Sequence, residues 1–223
     1  METIDEIMQT YNSVGKVVDN NASYQIDRVY GGVVRAVKGK LQEHITESII
    51  RRAWYGIEGK ESRLAINSKK IRIPIQETYI QHLEDEGVRK YIRANINDYS
   101  YGLSVDKHVF IDRRLVMGIE CKAYTENAMI KRMLVDFYLL KTIYPNILCR
   151  LFQLESRLGG DYSSLPETVY GSASTHSIMS YFEDVDLNIF TFLKGEREGL
   201  RLLCAFSQNG SPWRTVFGRT TLN

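Results

Sequence analysis

Val105-Asp106-Lys107-His108-Val109-Phe110-Ile111-Asp112-Arg113-Arg114-Leu115-Val116-Met117-Gly118-Ile119-Glu120-Cys121-Lys122 is the stretch from which the fold is read. Val105, Val109 and Ile111 alternate with Asp106, His108 and Phe110. Beyond Asp112-Arg113-Arg114, Leu115, Met117, Ile119 and Cys121 alternate with Val116, Gly118, Glu120 and Lys122. A period of two is the strand signature, and the charged interruption supplies a turn, so an antiparallel hairpin is predicted. One face is apolar except for Lys107. With the turn centred near Arg113, opposed residues have numbers adding to about 226, which sets Asp106 across from Glu120 on the same face. Opposed side chains of this kind lie about 5 Å apart. Lys122 follows on that face two residues on, roughly 7 Å along the strand.

Working outward, Ile26, Val29, Val33, Val34, Val37, Leu41, Ile45 and Ile49 recur at steps of three and four, a helix within Tyr24 to Trp54. Asn20, Asn21 and Ser23 offer capping groups ahead of it. Gly31, Gly32 and Gly39 leave open whether this is two helices or one bent helix, and Gly56 and Gly59 end it. Arg63 to Ile75 alternates around Asn67-Ser68-Lys69-Lys70, a hairpin or two short strands. Leu83 to Ile96 reads as a surface helix. Thr125 to Tyr144 carries Met129, Met133, Phe137 and Leu140 at helical spacing before Pro145, and Ile147 to Leu154 is an apolar run of strand length. A hairpin, a crossover helix and a returning strand predict an α/β fold: a mixed central sheet flanked by helices, with a right-handed connection. The chain reads as one domain over 1–223, with its core at about 24–155. The Gly-, Ser- and Tyr-rich stretch 156–176 is a loop long enough to suggest function. A C-terminal extension, 177–223, holds a short helix and strands near Leu187 to Leu193, Leu200 to Phe206 and Thr215 to Gly218.

The 223 residues, 43% hydrophobic and 25% charged, suffice for a core that needs neither disulfide nor structural metal. Twenty-nine Lys and Arg against 27 Asp and Glu leave a net charge of +2, so any basic surface must be local. Cys121, Cys149 and Cys204 are widely spaced among apolar neighbours with no CxxC pattern, which suits buried thiols in a reducing compartment. The acidic start of the chain lacks a signal-peptide pattern, and no stretch approaches the ~18 apolar residues of a membrane span. A cytoplasmic location is the expectation.

Two carboxylates as close as Asp106 and Glu120 repel each other unless a divalent cation lies between them, and hard oxygens suit Mg²⁺. An ammonium beside them could hold a phosphodiester and stabilise charge on its phosphorus. Asp112, the competing first acid, sits at the turn about 15 Å from Glu120 by strand rise. Asp106, thirteen intervening residues and then Glu120-Cys121-Lys122 resembles the PD-(D/E)XK nuclease signature, and type II restriction endonucleases in particular. Val105 stands where that family often has proline, a residue without a chemical part.

The resemblance implies a restriction-endonuclease-like αβββαβ core, over residues 24 to 155. It implies Mg²⁺-dependent, sequence-specific cleavage of double-stranded DNA at a short palindrome by a homodimer, with a cognate DNA methyltransferase as functional partner. It gives Asp106 and Glu120 as metal ligands, the Cys121 carbonyl as a further one, and Lys122 as the group that orients or activates water. A helix glutamate falls at Glu47, or else Glu43. Gly159 to Ser164 and Gly171 to His176, with Arg157 and Arg197, are candidates for base contacts. Arg51-Arg52 and Lys69-Lys70 could track phosphates, although a solvated face is the default for such pairs. His108 shares the Asp106 face and is more often structural than catalytic. The alternatives are a repair or junction-resolving nuclease of the same fold, and a non-catalytic DNA-binding module.

Overall fold

The computed structural model describes residues 28–156 and 173–191, with Glu6, Gln9 and Ser13 as isolated positions before them. The capping residues ahead of the first helix, most of the long loop, Arg157, Arg197 and the strands expected beyond Thr191 lie outside the described residues. Helix α1 (Arg28–Gly56) continues without a break past Gly31, Gly32 and Gly39, so the two-helix alternative does not hold. Ile45, Ile49, Ile50, Ala53 and Trp54 are buried, and this face packs on the sheet. At the helix end the chain folds back under the indole. The Gly59 amide donates to the Trp54 carbonyl and Trp54 Nε1 to the Lys60 carbonyl, both at 2.9 Å. A Cβ on Gly59 would fall 2.1 Å from the indole Cε2, so only glycine fits there.

The strands are β1 (Leu64–Asn67), β2 (Ile71–Pro74), β3 (Ser100–Leu103), β4 (Lys107–Ile111), β5 (Arg114–Thr125), β6 (Leu148–Ser156) and β7 (Leu187–Thr191). Five make one mixed sheet in the order β1-β4-β5-β6-β7, antiparallel through β5 and parallel from β5 onward. β1 and β2 do not form the hairpin that was one reading of Arg63 to Ile75. β1 pairs with β4, while β2 pairs with β3 in a separate two-stranded sheet. Helices α2 (Glu77–His82) and α3 (Glu86–Ala94) connect β2 to β3, so 68–106 is an excursion between two neighbouring strands of the main sheet.

Helix α4 (Asn127–Ile143) carries the chain from β5 to β6, and α5 (Ala173–Ser180) precedes β7. Helix, three antiparallel strands, helix and strand reproduce the expected αβββαβ order. Each sheet face is covered. Val109, Ile111, Met117, Ile119, Cys121, Phe152 and Phe190 pack with α1, the last two as rings stacked 4.9 Å apart. Cys149, Leu151 and Leu187 pack with Ile130, Met133, Leu134, Phe137 and Leu140 of α4. The face bearing His108 and Gly118 is therefore not open, as an exposed hairpin would have it. His108 is fully buried, and a Cβ on Gly118 would lie 3.0 Å from Phe137 Cε1.

The β4–β5 turn is tight. Ile111 pairs with Arg114, and Asp112 and Arg113 between them have φ of 49° and 66°. Positive φ at both central residues is the geometry that matches strand twist in a two-residue hairpin, normally supplied by Asn-Gly. Here Arg63 compensates: its carbonyl accepts the Asp112 amide at 2.9 Å and its guanidinium grips the Asp112 carboxylate.

Candidate active site

Close to the turn, opposed residues add to 225, as in Phe110 with Leu115. After a register shift at Val109/Phe110 they add to 226, as in Val109 with Met117 and Lys107 with Ile119. The shift inserts Val116 as a bulge. It decides the site, because a one-residue slip moves side chains to the other sheet face. Continued unbroken, the first register would set Asp106 opposite Ile119 and leave Glu120 on the far side. The bulge brings Asp106 to the level of Glu120, as the sequence spacing predicts.

Asp106 immediately precedes β4, and its carboxylate is fixed from two directions. Its Oδ2 accepts the Cys121 amide at 2.7 Å and the Lys122 ammonium at 2.9 Å. Lys122 also donates to Glu120 Oε2. One ammonium therefore bridges both acids, with Asp106 and Lys122 about one-third exposed and Glu120 buried. Burial pushes the Glu120 carboxyl up to about 7, with the Lys122 charge opposing and the Asp106 charge adding. For Lys122 burial acts downward, but the charges and hydrogen bonds of Glu120 and Asp106 outweigh it and hold the ammonium above its ordinary range.

Cys121 alternates to the opposite face. Its thiol lies in the α1 core beside Thr46, and burial pushes it up to about 12, so it is packing and not a nucleophile. Only its main chain faces the acids. Glu47 and Glu43 do not join the bridged group. Lys107 Nζ lies 3.4 Å from Glu47 and 3.5 Å from Glu43, and Glu47 also accepts Arg51 at 2.9 Å. Burial works upward on Glu47, but Arg51 and Lys107 together hold its carboxyl below the ordinary range. The charge of Glu43 reaches the Cys121 thiol on the α1 side of the sheet.

Three neighbours were not found from the sequence. Gln153 of β6, fully buried, is the register partner of Lys122. Asp136 of α4 feels the Lys122 charge, although burial dominates and pushes its carboxyl up. Ser68 donates its hydroxyl to the Asp106 carbonyl at 2.6 Å, fixing the backbone that presents the acid. The first two depend on pairing of distant segments. The third had a local signal in the Asn67-Ser68 turn.

A mixed sheet that brings an acid, a second acid and a lysine together on neighbouring strands is the arrangement of the nucleases that the sequence resembles. Comparison with characterised proteins gives the family: the chain belongs to the type II restriction enzymes, which are sequence-specific DNA endonucleases. Over 201 residues, 88% of this chain and 84% of the relative, it is 56% identical to type II restriction enzyme DdeI of Desulfomicrobium norvegicum. No family model matches the chain, and no solved structure does.

Proposed function

We propose that Asp106, Glu120 and Lys122 are the catalytic group of a Mg²⁺-dependent restriction endonuclease that cuts duplex DNA at a short palindrome. The supporting observation is the Lys122 ammonium shared by two carboxylates that are otherwise forced together. Such a donor set fits a divalent cation. Its oxygens are hard, and Glu120, buried with its carboxyl pushed up to about 7, gains a stable anionic form beside a second positive charge. Among the described residues no three His, Cys, Asp or Glu side chains gather as ligands. Asp106 and Glu120 would hold the ion, with the Cys121 carbonyl as the further protein oxygen, while Glu43 and Glu47 stay paired with Lys107. A bound Mg²⁺ would supply Lewis acidity toward the phosphodiester.

The protein's own groups account for the remaining requirements. The Cys121 amide and Ser68 hydroxyl hold Asp106 from its side chain and its backbone, so the acid is oriented before substrate arrives. Lys122, part-exposed, places its positive charge beside the carboxylates, where it would meet a phosphate or an attacking water. Symmetric cutting of a palindrome calls for a homodimer with one such group per strand. A cognate methyltransferase would protect host DNA. Both would act in the cytoplasm, in keeping with the lack of any helix among the described residues long and apolar enough to cross a membrane.

The test is incubation with several unmethylated phage and plasmid DNAs in Mg²⁺ or in EDTA. Discrete fragments with matching ends, formed only with Mg²⁺, are expected. Cutting in EDTA, or a smear without defined ends, would overturn the reading.

A further inference from the structure

The excursion between β1 and β4 leaves and rejoins the sheet beside Asp106. Ser68 bonds the Asp106 carbonyl at 2.6 Å, and the Lys69 amide donates to Asn67 Oδ1 at 3.1 Å, which fixes the corner where the excursion begins. From there β2 and β3 pair as a ribbon, Ile71 with Leu103 and Arg72 with Gly102. One ribbon face enters the α4 core through Ile71, Ile73 and Leu103. The other holds exposed Arg72 beside Gly102, with the Lys70 side chain 3.4 Å from where a Gly102 Cβ would be. The absent side chain at Gly102 leaves this face flat.

Charge on the ribbon is one-sided. Residues 68–75 and 100–105 include Lys69, Lys70 and Arg72, all exposed, and no acid. Several surface cations elsewhere are matched, Lys90 with Glu86, Arg93 with Glu77, Arg63 with Asp112 and Arg132 with Asp136. Lys60, Arg113, Arg114 and Lys131 are not matched among the described residues, so what sets the ribbon apart is three cations clustered on one segment beside Asp106. Lys69, Lys70 and Arg72 pair with no carboxylate of the described residues. In a chain of net charge +2, three unmatched cations at the root of one ribbon form a local basic surface.

We infer that the outer face of the β2–β3 ribbon binds the phosphate backbone of duplex DNA next to the cut. Lys69, Lys70 and Arg72 are the contact residues. The inference rests on Asp106, Glu120 and Lys122 being the cutting site. Leu103, the partner of Ile71, is three residues from Asp106, at most about 10 Å of chain. That span corresponds to about three nucleotides of one DNA strand. A duplex seated at the acids therefore passes the ribbon root. Phosphate contacts fix register without reading bases, so the ribbon adds affinity equally on every sequence.

The experiment is fluorescence anisotropy in EDTA from 50 to 200 mM KCl. One duplex comes from a fragment the protein cuts and another from a fragment it leaves intact. The variants are Lys69→Gln/Lys70→Gln/Arg72→Gln together, and Lys90→Gln as a charge control on α3. For the triple variant the slope of log K against log salt is expected to fall in magnitude by roughly 2 to 3, about 0.9 for each lost phosphate contact. Binding should weaken alike on both duplexes, with the thermal melt unchanged and Lys90→Gln matching wild type. An unaltered slope while wild type binds and cuts overturns the inference and leaves the nuclease assignment standing, as does an equal loss in Lys90→Gln. If wild type neither binds these DNAs nor cuts them with Mg²⁺, the assignment falls and the inference with it.

Discussion

Glu120→Gln should stabilise the metal-free protein at alkaline pH, by an amount that grows over a defined window. The unfolded carboxyl titrates near 4.5, and burial pushes the folded one up to about 7. A group whose folded pKa is raised contributes stability that is fully present below its unfolded value and lost as pH rises through the folded value. The shift is about 2.5 units, and at about 1.4 kcal/mol per unit the loss is on the order of 3 kcal/mol by pH 8. Glutamine imitates the protonated carboxyl and escapes it, while Asp106 still pairs Lys122. Urea unfolding in EDTA, followed by circular dichroism at pH 4, 5, 6, 7 and 8, measures the difference. Variant and wild type should nearly coincide at pH 4 and separate between pH 4.5 and 7, with the variant the more stable. A pH-independent difference, or a wild type that gains on the variant as pH rises, would refute the reasoning.

Other perturbations give outcomes of different kinds. Mg²⁺ at a hundredfold excess over its Kd should stabilise wild type by about 2.7 kcal/mol, and this rise in calorimetric Tm should vanish in Asp106→Asn. Deleting Val116 removes the bulge but leaves Phe110 opposite Leu115 and Val109 opposite Met117 in one unbroken ladder, so Asp106 stays level with Glu120 and Mg²⁺-dependent cleavage should survive. Loss of cleavage in a chain still folded by circular dichroism would contradict the register. Gly59→Ala forces a methyl into the Trp54 ring, and a loss of about 3 kcal/mol is expected in urea unfolding.

The hairpin and the meeting of Asp106, Glu120 and Lys122 on it were legible because both are local. Alternation identifies β4 and β5, and the numbering across the turn identifies which acid meets which. The numbering came out right for a reason the alternation did not disclose: the turn is centred between Asp112 and Arg113, and Val116 supplies the missing residue further down. Helix α1 was visible from its apolar spacing, yet its continuity was not, because three glycines lower propensity and burial of the Ile45–Trp54 face outweighs that. The partners of β1 and β2 could not be read locally, since pairing across 68–106 depends on where the excursion returns. Glu47 illustrates the same limit. Its helix position suits a site role, but Lys107 and Arg51 occupy its carboxylate, and neither contact follows from spacing along one element.

The central claim is that Asp106, Glu120 and Lys122 act as one catalytic group, and single-turnover cleavage of a mapped fragment tests it most directly. Asp106→Asn, Glu120→Gln and Lys122→Met should each lower the cleavage rate by at least about 10³-fold in Mg²⁺, with DNA affinity changed far less. Because the three share one ammonium, any double variant should be scarcely slower than the single ones. Cleavage at the wild-type rate by any of the three would contradict the account.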